Sequence, residues 1–143
     1  MSLESASWTS VTRSEVMDWR EFESIAREEM SKHFGVTLAS VRRDGHPKRF
    51  DMVSEDGSIV GDAKFLTLVH GKGMPPAKFM EIAGHVWLLE RTPATRRFLV
   101  FGNQRRVAEW WLEKYGQLPR NVEFYFLGAN GELLLLSQGA AGV

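Results

Sequence analysis

A chain of 143 residues, 43% hydrophobic and 25% charged, has the length and composition of one globular domain with one core, not of a disordered or fibrous chain. Eighteen Lys and Arg balance eighteen Asp and Glu, which excludes an indiscriminate basic coat for nucleic acid and leaves only local basic patches. With no cysteine, neither a disulfide framework nor a thiolate zinc site is available.

The opening stretch MSLESASWTSVTRS lacks the basic start and apolar core of a secretory signal. Residues 1–13 read as a polar lead-in to a single domain over 14–143. No apolar run, LLLL at 133–136 included, approaches the roughly 18 residues of a membrane helix. The expectation is a soluble cytoplasmic protein with no membrane partner.

Ser14 and Glu15 open a helix that Gly35 closes. Helical spacing puts Val16, Trp19, Phe22, Ala26, Met30 and Phe34 on one stripe about 120° wide. Glu23 falls inside that stripe, whereas Asp18, Glu21 and Glu28 lie at its edge or on the far side. A carboxylate facing a core is costly unless it is paired or bound to a cation. A short strand follows over 36–42, and GHPK at 45–48 breaks it. The basic cluster Arg42, Arg43, His46, Lys48 and Arg49 precedes a hairpin over 49–68.

That hairpin carries the Asp56-Gly57 signal of a two-residue type I′ turn. With those residues at the turn, Glu55 faces Ser58, Asp51 faces Asp62 and Arg49 faces Lys64. One face then carries Arg49, Asp51, Val53, Val60, Asp62 and Lys64. The other carries Phe50, Met52, Ile59, Gly61, Ala63 and Phe65 and reads as the core face. Two like charges directly opposite cost roughly 0.2–1 kcal/mol unless compensated. A hard cation would compensate, and so would the flanking Arg49 and Lys64.

HGKGMPP at 70–76 is a loop, with Pro75 or Pro76 opening a helix to about Arg91. RFLVFG at 97–102 is a buried strand, and Asn103 is placed to cap a helix running to Tyr115. Residues 121–128 and 132–137 form two last strands around Ala129-Asn130-Gly131. The order α-β-β-β-α-β-α-β-β predicts a mixed sheet with helices on its faces. His33, His46, His70 and His85 lack metal-ligand spacing, and GKG at 71–73 is not a phosphate-binding loop. Trp110 and Trp111 cannot both face one core.

An acid on the helix before a hairpin (Glu23), then FD at 50–51 and DAK at 62–64, resembles the PD-(D/E)xK nuclease superfamily. The likeness covers roughly residues 14–102, with Phe50 in place of the name-giving proline and Asp62 where Glu is commoner. It implies an α/β, restriction-endonuclease-like mixed central sheet flanked by helices. It further implies a metal-dependent nuclease cleaving DNA or RNA, with DNA ahead of RNA as partner and Mg²⁺ as cofactor, Mn²⁺ substituting. Asp51 and Asp62, the Ala63 carbonyl and Glu23 would hold the metal, and Lys64 would act on the water or the transition state. Arg49, Lys78, His70 and Lys72 are candidate substrate contacts. The alternative is a catalytically inactive module of the same fold that binds nucleic acid or protein. A homodimer or partner subunit is expected for double-strand action, since one site cuts one strand.

Overall fold

A computed structural model describes residues 18–43, 45–67 and 76–138. The lead-in over 1–13, Ser14 and Val16 of the expected helix start, and the loop residues His70 and Lys72 lie outside the described residues.

The first helix, α1 (Trp19–Phe34), starts where Asp18 accepts the Glu21 N–H at 3.0 Å, an N-cap four residues beyond the expected Ser14. It ends, as expected, at Gly35 in the left-handed conformation. Strands β1 (Leu38–Arg42), β2 (Arg49–Ser54) and β3 (Ile59–Phe65) follow. Helix α2 (Pro76–Glu90) then leads to β4 (Arg96–Gly102), α3 (Arg105–Tyr115), β5 (Glu123–Leu127) and β6 (Leu133–Ser137). This is the predicted order, and Pro76 opens α2. Asn103 does not cap α3. Its φ is 77° and its amide donates to the Leu66 carbonyl, so Gln104 takes the cap position without a side-chain bond.

The described strands form one six-stranded sheet in the order β1-β2-β3-β4-β5-β6. β3, β4 and β5 run parallel, and the outer pairings are antiparallel. The α/β mixed sheet flanked by helices is therefore what the chain forms. α1 covers one face through Phe22, Ala26 and Met30, over Met52, Ala63, Phe98 and Val100. α2 and α3 cover the other through Phe79, Ile82, Val107 and Trp111, over Val60, Leu99, Phe101 and Phe124. With both faces buried, the centre of β4 is apolar throughout, as two-sided burial requires. Val53, Val60 and Lys64, on the charged face of the hairpin, lie under α2. Trp19, placed by spacing in the α1 stripe, is 50% exposed. Among the described residues no helix is long and apolar enough to cross a membrane.

The hairpin keeps the expected register, Met52 facing Gly61 and Val53 facing Val60. Its turn differs. The Gly57 N–H closes on the Ser54 carbonyl at 2.9 Å, and of the two turn residues Gly57 alone has positive φ (75°). The loop is a wider one between Ser54 and Ile59, not a two-residue type I′ turn. Asp56 stays out of the left-handed region because its carboxylate is engaged locally. It accepts the Ser58 N–H at 3.0 Å, the Ser58 hydroxyl at 2.7 Å and the Ser54 hydroxyl at 2.8 Å. These bonds, the Ser58 N–H foremost, lower the Asp56 carboxyl to about 2. A folded value below the unfolded one stabilises fully above about pH 5 and progressively less as pH falls toward the folded value. Asp56→Ala is therefore expected to unfold at lower urea than wild type at pH 6, with the gap narrowing at pH 3. A gap independent of pH would contradict this account.

Gly61 has a packing reason. A Cβ there would run into the Phe98 ring of the adjacent β4, which is itself fully buried.

Candidate functional site

The β2–β3 ladder ends at Met52 and Gly61. Beyond it, carboxylates stand in as acceptors. Asp62 Oδ1 accepts the Asp51 N–H at 3.1 Å, and Asp51 Oδ2 accepts the Ala63 N–H at 2.9 Å. A bulge on the other side of β2 belongs to the same event: Ser40 of β1 faces Asp51 and Met52 together. The bulge breaks the alternation expected from sequence. Phe50 joins Val53 and Val60 in the α2-side core instead of sharing a face with Met52. Arg49 no longer faces Lys64; its guanidinium donates to the Ser40 carbonyl at 2.8 Å, on the β1 side.

Asp62 is 0% exposed. Burial drives its carboxyl well above the ordinary carboxylate range, the nearby Lys48 opposing the shift and Asp51 adding to it. Its Oδ2 makes no hydrogen bond, yet the Lys48 ammonium stands 3.2 Å from it. The two observations agree if Lys48 is held there by charge, outside hydrogen-bond geometry. Asp51 is half-buried, its backbone carbonyl tied to α1 by the Arg27 guanidinium at 2.9 Å.

Lys64 projects from β3 on the same side as Asp62 and is also buried. Burial lowers the pKa of its ammonium, against the opposing pull of Asp62 and Glu81. The ammonium reaches Glu81 of α2 at 3.1 Å, and Lys78, one turn earlier, reaches the same carboxylate at 3.4 Å. Burial pushes the Glu81 carboxyl up, but the hydrogen bond and charge of Lys64, joined by Lys78, bring it below its usual value. Glu23 approaches from α1, half-buried, its carboxyl raised by desolvation and by the Asp51 charge. Trp19, Glu23, Lys64, Lys78 and Glu81 bound a cleft of roughly 270 Å³ between α1 and α2. A larger hollow of about 820 Å³ lies between β1 and the hairpin turn. It is lined by Arg43 and Asp56 and includes neither Asp51, Asp62 nor Lys64.

The structure thus brings Glu23, Asp51, Asp62, Ala63, Lys64 and Lys78 to one end of the hairpin, with Arg49 outside the group. Three residues at the site were not assigned to it from sequence: Lys48, Glu81 and His85. Lys48 sits outside any strand, so no register could place it. Lys78, Glu81 and His85 are spaced i, i+3, i+7 in a helix whose only other charged residue is the terminal Glu90, and that polar stripe was the available signal. His85 Nδ1 is buried without a hydrogen-bond partner, and burial, with Lys64 and Lys48 adding to it, lowers the ring to about 4. Among the described residues no three His, Asp or Glu gather closely enough to hold a metal ion. The acidic pair Asp51 and Asp62 stands without a third ligand of that kind.

Fold and site define an α/β domain carrying two facing carboxylates and a buried lysine where its hairpin opens. No family model matches the chain, and no curated protein matches it. Among solved structures it is similar to Pyrococcus furiosus SfsA in complex with Ca²⁺, at 16% identity and a TM-score of 0.41. The likeness covers 87% of this chain and 63% of that one, so the chain spans less than two thirds of that structure's length.

Proposed function

We propose that the chain is a divalent-metal-dependent nuclease of the PD-(D/E)xK kind, acting on DNA ahead of RNA, with Mg²⁺ native and Mn²⁺ a substitute. The observation that carries this reading is Asp62 Oδ2, a buried carboxylate oxygen with no hydrogen bond, whose charge the Lys48 ammonium answers at 3.2 Å. Such an oxygen fits a hard cation, because a buried carboxylate needs a positive partner and Mg²⁺ prefers oxygen ligands. Asp51 and Asp62 would hold it with the Ala63 carbonyl, and Glu23 would reach it from α1 through a bound water. When bound, the cation supplies positive charge to a phosphate and makes a water more acidic.

The chain's own residues do the remainder. Lys64 holds an ammonium, stripped of much of its water, where a phosphate oxygen would gain charge. Glu81 aims that ammonium, and Lys78 meets the phosphate backbone at the mouth of the cleft. The homodimer expected for double-strand action belongs to this reading.

Mn²⁺ titration by calorimetry tests it. Wild type is expected to bind, and Asp51→Ala and Asp62→Ala to bind about a hundredfold more weakly or worse. Undiminished binding by both variants would remove the metal from these residues.

A second reading has its own support: Lys48–Asp62 and Lys64–Glu81 already balance the charges in pairs. Under it the chain binds nucleic acid or protein without cutting. Nucleic-acid binding with no cleavage in Mg²⁺ or Mn²⁺ would decide for it.

A further inference from the structure

We propose that the Lys48 ammonium is an internal counter-ion that holds the cation's place at Asp62, so that metal entry and Lys48 release are one exchange. The inference rests on the metal-binding reading above and concerns how that site is regulated.

Asp62 has one oxygen committed to the Asp51 N–H, which leaves Oδ2 for any cation. The Lys48 ammonium stands 3.2 Å from that atom. A buried carboxylate is stable as an anion only beside a positive charge, and two cations crowded on one oxygen repel each other. Occupancy by lysine and by metal is therefore exclusive.

Lys48 is built to leave. Its backbone is fixed: its N–H reaches His46 Nδ1 at 3.3 Å, and His46 Nε2 meets the Thr92 hydroxyl at 3.1 Å. Its head is held by contacts that can be exchanged for water: the Asp62 charge at 3.2 Å, the neighbouring Arg49 carbonyl at 3.1 Å and the face of the Phe50 ring at 5.6 Å, with the side chain 17% exposed. A fixed root with a flexible four-carbon stem lets the head swing to solvent without moving β2. Lys64 is not equivalent, because Glu81 holds its ammonium at 3.1 Å from the opposite helix. Among the described residues Asp62 and Lys64 each have a partner, and the Lys48 partnership is the one that competes with metal. Apparent metal affinity is then the intrinsic affinity reduced by the fraction of molecules in which Lys48 has withdrawn.

Calorimetric titration with Mn²⁺ of wild type, Lys48→Met and Lys48→Gln tests the exchange, the second variant guarding against misfolding of the first. Both are expected to bind Mn²⁺ more tightly, within the range of about 5–150-fold typical of coupled equilibria. Release is read separately by lysine acylation and mass spectrometry on wild type. Saturating Mg²⁺ is expected to raise the reactivity of Lys48 and leave that of Lys64 unchanged. Equal or weaker Mn²⁺ binding by the variants, or Lys48 reactivity indifferent to Mg²⁺, overturns the exchange while the metal site stands. Absence of Mn²⁺ binding by all three proteins overturns both.

Discussion

Lys64→Ala is expected to lose about 10²–10³ in metal-dependent cleavage rate while binding Mn²⁺ and nucleic acid nearly as well as wild type. The asymmetry follows from where the ammonium sits. It is buried on β3 beside the cleft, Glu81 fixes it at 3.1 Å, and it is not a ligand of the proposed cation. What it contributes is fixed positive charge in a water-poor place, and that counts where negative charge grows during the reaction more than where it is already spread. Lys64→Arg is not expected to rescue cleavage. A planar fork cannot replace a compact ammonium in a space bounded by β3 and α2. Glu81→Gln keeps the length of the tether and removes its charge, so a loss smaller than that of Lys64→Ala is expected. Cleavage of single- and double-stranded DNA and RNA with Mg²⁺ or Mn²⁺ measures all four proteins. Equal cleavage by wild type and Lys64→Ala would trace the activity to a contaminant.

The largest effect on stability is expected at Trp111. It is 1% exposed, and its indole N–H donates to the Phe79 carbonyl of α2 at 3.1 Å. Its ring lies 5.5 Å from Phe124 and 6.2 Å from Phe101, so one side chain ties α3, α2 and two strands together. Trp111→Ala is expected to cost about 3–5 kcal/mol, since a large buried ring leaves a cavity its neighbours cannot fill. For a chain of this length that is a fall in Tm of about 10–15 °C. Trp87→Ala, on the same face of the sheet but 53% exposed, is expected to change stability by less than about 1 kcal/mol. Thermal and urea unfolding compare the two. Similar losses from both would mean that α3 does not carry the core. Because Phe79 precedes Glu81 by two residues, Trp111→Ala is also expected to loosen α2 and with it the hold on Lys64.

Several features were legible in the residues alone because they depend on neighbours a few positions away. Gly35 ends α1 because a left-handed residue is needed there and glycine adopts it freely. The short apolar run at 98–101, bounded by Arg97 and Gly102, is too short for a helix and reads as a buried strand. The period of two fixed which residues of β3 share a face, so Asp62 and Lys64 were placed together, opposite Asp51. Next to the loop the register survived even though the turn was misread, because the wider loop still sets Val53 against Val60 and Met52 against Gly61.

What only the tertiary structure decided are relations between segments that meet through the sheet. The bulge that redirects Phe50 and Arg49 lies in β2, but it exists only in the pairing of β2 with β1. Asn103 bonds the Leu66 carbonyl because β3 and β4 lie side by side, a relation no capping preference contains. Glu81 could not be assigned to Lys64 until the β3–α2–β4 crossover laid α2 over the face of β3 that carries the lysine. Lys48 meets Asp62 from a segment with neither period nor register. Patterning specifies which side a residue faces. Which charge answers a buried charge is settled by burial, since only a carboxylate deprived of water must be matched by whichever ammonium the fold delivers.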